Sequence, residues 1–192
     1  MKKVLLFIAV VTLASFQGCN ALKKLTQFRV NQSTDFSVPS SLLVNVPISL
    51  PSPDITTNSS QTFANNNTSA DMIESVKLEE MKLTISAPSG KSFSFLKDIQ
   101  LYLSAPNLPE VLVAEKLNVS STTGELLLDV KDVELKEYLK KDKLSLRSQV
   151  LTDEVLTQSI QIKADSRFFV DAKILGFWVN TNDKTMTDWI LL

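Results

Sequence analysis

Five segments of the chain alternate apolar and polar residues with a period of two. This pattern is typical of β-strands that have one buried face and one solvated face. The segments are residues 82–87, 99–104, 143–150, 159–164 and 168–174. The side chains that they predict to face the core are Leu83, Ile85, Ala87, Ile99, Leu101, Leu103, Leu144, Leu146, Val150, Ile160, Ile162, Ala164, Phe168, Val170, Ala172 and Ile174.

Further strands are expected at residues 25–30, 43–50, 110–116 and 125–130. Turn residues separate the runs, among them Pro88-Ser89-Gly90, Pro106-Asn107, Thr123-Gly124 and Thr152-Asp153. Many short strands divided by such turns indicate an antiparallel sandwich. We therefore expect an all-β, immunoglobulin-like β-sandwich.

Two short helices are also expected. Ser69 can cap residues 70–75, and Asp132 can cap residues 133–141, where Lys140 and Lys141 suit the negative end of a helix dipole. Neither helix is long enough to connect parallel strands.

The expected organisation is a signal peptide at 1–18, a tether at 19–24 and one sandwich domain at 25–192, with its best-patterned core at 71–175. Residues 52–69 are rich in Asn, Ser and Thr, and we expect them to form a long surface connection within this domain. The alternative is a mobile linker that follows a short N-terminal strand region.

The N-terminus has the order of a secretory signal. Met1-Lys2-Lys3 is basic, residues 4–14 are apolar apart from Thr12, and the stretch "SFQGC" ends in Cys19, the single cysteine of the chain. An apolar run of this length is too short to span a bilayer and is typical of a signal peptide. The alternative is a buried N-terminal helix or strand.

Gly18-Cys19 resembles the end of a bacterial lipoprotein signal, the lipobox. Phe16 and Gln17 depart from the usual residues at their positions. The resemblance implies cleavage after Gly18, a diacylglycerol thioether on Cys19 and acylation of the new amine, which together would anchor the chain to a membrane. An ordinary secretory signal or a free thiol are the alternatives. Asn20, where an acidic residue would favour inner-membrane retention, favours the outer membrane of a Gram-negative bacterium.

Composition excludes several classes of chemistry. The chain has no histidine and one cysteine, so zinc sites built from Cys and His, catalytic Ser-His-Asp or Cys-His groups, and haem with an axial His or Cys ligand are excluded. Twenty basic and 21 acidic residues leave a net charge near zero with no basic stripe, which argues against nucleic-acid binding. No cofactor is expected.

Two motifs suggest chemistry, and both have simpler explanations. Gly90-Lys91-Ser92 matches the end of a phosphate-binding loop, but Ile85 stands where the motif needs its first glycine, so we expect a hairpin turn with Gly90 at positive φ, followed by a strand. Asp129, Asp132 and Glu134 are the best of several acidic groups, but their spacing fits capping and surface solvation better than a metal site. We expect no metal site and no catalytic residue.

The last stretch contains both tryptophans, Trp178 and Trp189, on either side of a turn at residues 180–184. We expect them to pack in the core of a terminal hairpin. The alternative is an exposed patch for a partner or for the membrane interface.

The sequence therefore predicts a non-enzymatic, membrane-anchored lipoprotein of the cell envelope that acts as a protein-interaction or assembly module. Its expected partners are membrane lipid, through Cys19, and an envelope protein. The alternatives are a carrier of a small apolar ligand between the sheets and a glycan hydrolase that uses Asp129 and Asp132.

Overall fold

A computed structural model describes residues 26–40, 42–51 and 54–173. Two antiparallel sheets face each other across one apolar layer. The strands are β1 (Gln27–Val38), β2 (Ile48–Pro51), β3 (Ile55–Thr56), β4 (Ile73–Ala87), β5 (Leu96–Ala105), β6 (Leu108–Lys116), β7 (Glu125–Leu127), β8 (Asp129–Val130), β9 (Lys143–Thr152) and β10 (Ile160–Ala172). The predicted all-β sandwich is confirmed.

The four-stranded sheet has the order β1-β10-β4-β7, and the six-stranded sheet has the order β2-β9-β5-β6-β8, with β3 also paired to β9. The two segments predicted at 159–164 and 168–174 form a single strand, β10, which pairs with β1 along its whole length and with β4. The predicted strand at 125–130 divides between the sheets, because β7 pairs with β4 whereas β8 pairs with β6.

The core includes most of the side chains that the alternation predicted. Leu83, Ile99, Leu101, Ile162 and Val170 are fully buried. Burying an aliphatic side chain of this size contributes about 1.5 to 3 kcal/mol. Ile85 and Ala87 lie near the end of β4 and are only partly buried or exposed, and Ile174 lies outside the described residues.

Both predicted helices differ from the observed elements. Residues 70–75 do not form a helix: Ala70–Met72 is a single 3-10 turn, Ser69 makes no capping bond, and Ile73 begins β4 because it is fully buried and pairs with β10. The second helix, α2 (Lys136–Leu139), is much shorter than predicted, and Asp132 does not cap it.

Residues 52–69 contribute to the core in the part that is described. They contain β3 and a helix, α1 (Ser59–Asn65). Phe63 of α1 is buried and meets the ring of Phe28 edge to face, with 6.5 Å between the ring centroids. The helix therefore covers the gap between the two sheets beside β1.

Two buried threonines provide a matched test of how this connection is held. The Thr57 hydroxyl, 4% exposed, donates to the Lys141 carbonyl at 2.7 Å and accepts from the Ser59 amide at 3.3 Å. The Thr152 hydroxyl, 2% exposed, has no hydrogen-bond partner among the described residues. We expect Thr57→Val to lower the free energy of unfolding by about 1 to 3 kcal/mol, because it leaves buried groups unpaired.

Thr152→Val is the control, since it removes a buried hydroxyl that has no partner to lose. It should leave the free energy of unfolding unchanged or raise it. Urea unfolding of both variants measures the difference, and an equal loss in the two would contradict this assignment of the hydrogen bonds.

Candidate interaction surface

The two ends of the sandwich are built differently. At one end, four connections each cross from one sheet to the other: residues 39–47, 88–95, 117–124 and 153–159. We call this the loop end. The opposite end contains α1, α2, Thr26, which precedes β1, and Lys173, which follows β10. We call it the helix end.

Backbone hydrogen bonds fasten the loop-end connections to one another. The Asn45 amide donates to the Thr152 carbonyl at 2.8 Å, and the Phe93 amide donates to the Thr123 carbonyl at 2.9 Å. The Ser40 amide donates to the Ser159 hydroxyl at 3.3 Å, so residues 39–47 are joined both to residues 153–159 and to the end of β9. The connections at the loop end are therefore held in place by hydrogen bonds.

Four of the six exposed large apolar side chains in the described part of the chain lie at the loop end. They are Leu43 (67% exposed), Val46 (43%), Leu117 (48%) and Val155 (65%), and we call them the loop-end apolar residues. The other two, Leu127 and Val130, lie on β7 and β8. Because these exposed apolar residues lie on connections at one end of the sandwich, this end is the candidate contact site for another molecule.

A polar cleft of about 180 Å³ lies beside Val155, between residues 90–95 and 154–160. Gly90 has φ of +76°, as predicted, and Lys91, Ser92 and Glu154 line the cleft. The expected hairpin is wrong, because β4 and β5 lie in different sheets and Phe93–Phe95 is a 3-10 turn whose two Phe rings are buried. Since only this single turn follows Lys91, no helix N-terminus is available to hold a phosphate.

The three candidate carboxylates do not converge. Asp129 accepts from the Lys116 ammonium at 3.1 and 3.2 Å, and Asp132 pairs with Lys77. Glu134 accepts from the Ser75 hydroxyl at 2.7 Å and from the amides of Val76 and Lys136 at 2.8 and 2.9 Å. The described residues contain no group of three or more acidic side chains that could hold a metal ion.

Glu134 replaces Asp132 as the group that fixes α2. Burial opposes ionisation of Glu134, but its bonds to Val76, Ser75 and Lys136 together lower its pKa below the ordinary value of 4.5. The carboxylate thereby joins the first turn of α2 to β4 at the helix end.

A polar network covers the outer face of the six-stranded sheet. The Arg147 guanidinium binds both carboxylate oxygens of Glu110 and lies 4.2 Å from the centre of the Tyr102 ring. The bonds to Glu110 raise the pKa of Arg147 and lower that of Glu110. The guanidinium thus covers one face of this tyrosine, which a sugar would otherwise use for stacking. Sequence reasoning missed the network because its members are separated by up to 45 positions.

An apolar gap of about 30 Å³ lies between the sheets near β1, and its lining includes Leu78, Met81, Leu103 and Phe168. A gap of this size holds about two water molecules. It does not favour the carrier alternative.

Cys19, Trp178 and Trp189 lie outside the described residues, so the predicted lipidation site and the tryptophan patch stay predictions. Within residues 26–40, 42–51 and 54–173, no helix is both long and apolar enough to cross a membrane.

No protein-family model matches the chain, and a search of curated proteins finds no match. Solved structures with some similarity include Desmodium yellow mottle tymovirus, at 7% identity and a TM-score of 0.23 over 78% of this chain and 90% of that one. Turnip yellow mosaic virus is 12% identical with a TM-score of 0.26 over 77% and 82%. Similarity at these scores carries no argument about the function of this chain.

The lowered pKa of Glu134 gives a prediction with a defined sign. When the pKa of a carboxylate is lower in the folded state than in the unfolded state, the ionised group stabilises the fold at any pH above the pKa of the unfolded state. This stabilisation is lost as the pH falls through the pKa of the folded state. We expect Glu134→Gln to lower the free energy of unfolding at pH 7 by about 1 to 3 kcal/mol. The difference from the parent should shrink below pH 4.5.

Asp132→Asn is the control, because the Asp132 side chain is 83% exposed and its ion pair with Lys77 contributes little. Thermal unfolding of both variants from pH 3 to pH 7 provides the measurement. A larger loss for Asp132→Asn than for Glu134→Gln would restore Asp132 as the residue that fixes α2.

Proposed function

We propose that this protein is a membrane-anchored lipoprotein of the cell envelope, in the outer membrane of a Gram-negative bacterium, and that it acts as a non-enzymatic interaction module. The anchor is an acylated Cys19. The apolar run before Gly18-Cys19 supports this role. The separated carboxylates and the small inter-sheet gap favour a binding role over hydrolysis or transport.

The observation that carries the proposal is the position of the loop-end apolar residues relative to Thr26. The chain enters the sandwich at the helix end, so a lipid on Cys19 attaches there. The loop-end apolar residues lie at the opposite end, where the anchor does not cover them. Their exposure is explained if an envelope protein binds at the loop end.

The tether limits where that partner can be. Seven residue steps separate Cys19 from Thr26, and they span at most about 24 Å. The sandwich is then held beside the bilayer, within reach of proteins that are themselves in the membrane or on its surface.

The anchor is tested by the intact mass and the membrane fractionation of the mature protein. The expected product begins at Cys19 and carries acyl chains, and Cys19→Ala should move the protein from the membrane fraction to the soluble fraction. A mature protein with an unmodified Cys19 thiol, or one that retains residues 1–18, would contradict the proposal.

The contact surface is tested by chemical cross-linking in intact cells. Leu43→Asp combined with Val155→Asp should abolish the adducts that the parent protein forms with envelope proteins, because charged groups cannot be buried in an apolar interface. Leu127→Asp is the matched control, since Leu127 is 59% exposed but lies on β7, and it should leave the adducts unchanged. Equal adducts in all variants would exclude the loop end as the contact surface.

A further inference from the structure

The strand β1 forms a long edge of the four-stranded sheet. Its twelve residues pair with β10 without any register shift, and no described strand pairs with its other side. Such an edge presents a row of backbone donors and acceptors to any further strand.

One hydrogen bond shows which backbone groups face outward. The Ala172 amide donates to the Thr26 carbonyl, and this pair continues the register of β1 with β10. Because bonded and non-bonded pairs alternate in an antiparallel ladder, the even-numbered residues of β1 bond to β10. The backbone groups of the odd-numbered residues, such as Arg29, Asn31 and Asp35, therefore point away from the sheet, and no hydrogen bond from the described residues reaches them.

Among the described strands, those at the other edges of the sandwich are short, whereas β1 is a long edge strand. Strands β2, β7 and β8 have four, three and two residues, and the chain changes sheets between β7 and β8. Short strands and such irregularities discourage pairing with another chain. β1 contains no proline and no bulge, so it is the described edge best suited to accept a strand.

We propose that β1 pairs with β1 of a second copy of this chain, antiparallel about a two-fold axis. In the proposed register Gln32 of one copy lies opposite Gln32 of the other. Arg29 of each copy then lies opposite Asp35 of the second copy, and Asn31 lies opposite Ser33. No other antiparallel register places these opposite charges directly across from each other. Opposite charges directly across a strand pair stabilise it, and like charges destabilise it.

Both charged groups are accessible for this pairing. The Arg29 side chain is 56% exposed although it binds Glu79. Asp35 is exposed and makes no hydrogen bond or ion pair with the described residues, but it lies close enough to Lys163 to help raise the pKa of that lysine. An exposed carboxylate at the sheet edge that makes no hydrogen bond or ion pair with the described residues can bind the arginine of a second copy.

The segment that follows β10 fits this edge less well than a second copy. A strand next to β1 that continued from β10 by a short connection would run parallel to β1, and parallel pairing is slightly less stable per residue than antiparallel pairing. A second copy supplies the whole of β1 in the favoured antiparallel sense and closes the interface by symmetry.

The proposed dimer constrains the orientation of the two copies relative to the membrane. The two Thr26 residues are at opposite ends of the joined strands, about 40 Å apart, because each lies opposite Val38 of the other copy. If both copies are anchored in one bilayer, their strands run along the membrane surface. The dimer itself does not depend on the anchor or on the proposed partner at the loop end.

Sedimentation velocity of the detergent-solubilised full-length chain tests the proposal. The parent should be a dimer, whereas Asp35→Arg alone and Arg29→Asp alone should each dimerise at least about tenfold more weakly, because like charges then face each other. An equimolar mixture of the two variants should recover dimers, since each new charge then meets its opposite. Glu74→Arg, an exposed charge reversal on β4 of the same sheet, is the control and should leave the dimer unchanged.

Asn31→Pro tests the backbone pairing itself. The Asn31 amide points to the free side, so proline should keep the melting temperature close to that of the parent and should abolish the dimer. Gln32→Pro removes an amide that bonds to β10 and should lower the melting temperature strongly. A monomeric parent, or a dimer that survives Asn31→Pro or forms equally in all charge variants, would overturn the proposal.

Discussion

The inward-facing row of β10 is the constraint on which the rest of the structure depends. Ile160, Ile162, Ala164, Phe168 and Val170 are buried, and the same strand bonds to β1 on one side and to β4 on the other. Because a chain with one cysteine cannot form a disulfide within itself, apolar burial and this continuous ladder must supply the stability that disulfides give many small secreted domains. β10 holds β1 and β4 in register, and these strands in turn position the loops at one end of the sandwich and the helices at the other.

The predictable part of the fold is the part that local alternation determines. A period of two identifies the inward side of a strand, so Leu101, Leu146 and Ile162 could be assigned to the core from their neighbours alone. Which strand pairs with which is a long-range property that alternation does not contain. The segment at 125–130 shows the limit: its apolar pattern is continuous, but its hydrogen bonds go to two different sheets. The helix expected at 70–75 failed because burial of Ile73 in a sheet outweighs a favourable capping residue.

From the sequence, hypotheses about function could be made only where the signal is contiguous. Gly18-Cys19 is a short motif with a local meaning, so a lipidation hypothesis could be made from five residues. The loop end is assembled from four connections that are far apart in the sequence, and three of them supply its exposed apolar residues. Glu134 was recognised as an acidic group, but its role at the start of α2 depends on the Val76 amide, 58 positions away. Charge and spacing along the chain do not reveal such contacts.

Thr26 and Ala172 lie next to each other, so the order of the strands along the sequence could be changed without changing their arrangement in space. Their backbones are joined by a hydrogen bond of 3.2 Å, so a short linker can connect these two points directly. New termini can then be opened in any of the four connections at the opposite end, giving a circular permutant that keeps every strand in its place. The spatial order of the ten strands is thus separable from the order in which the ribosome makes them, and the folding rates of such permutants would report how far the long-range pairing of β1 with β10 limits assembly.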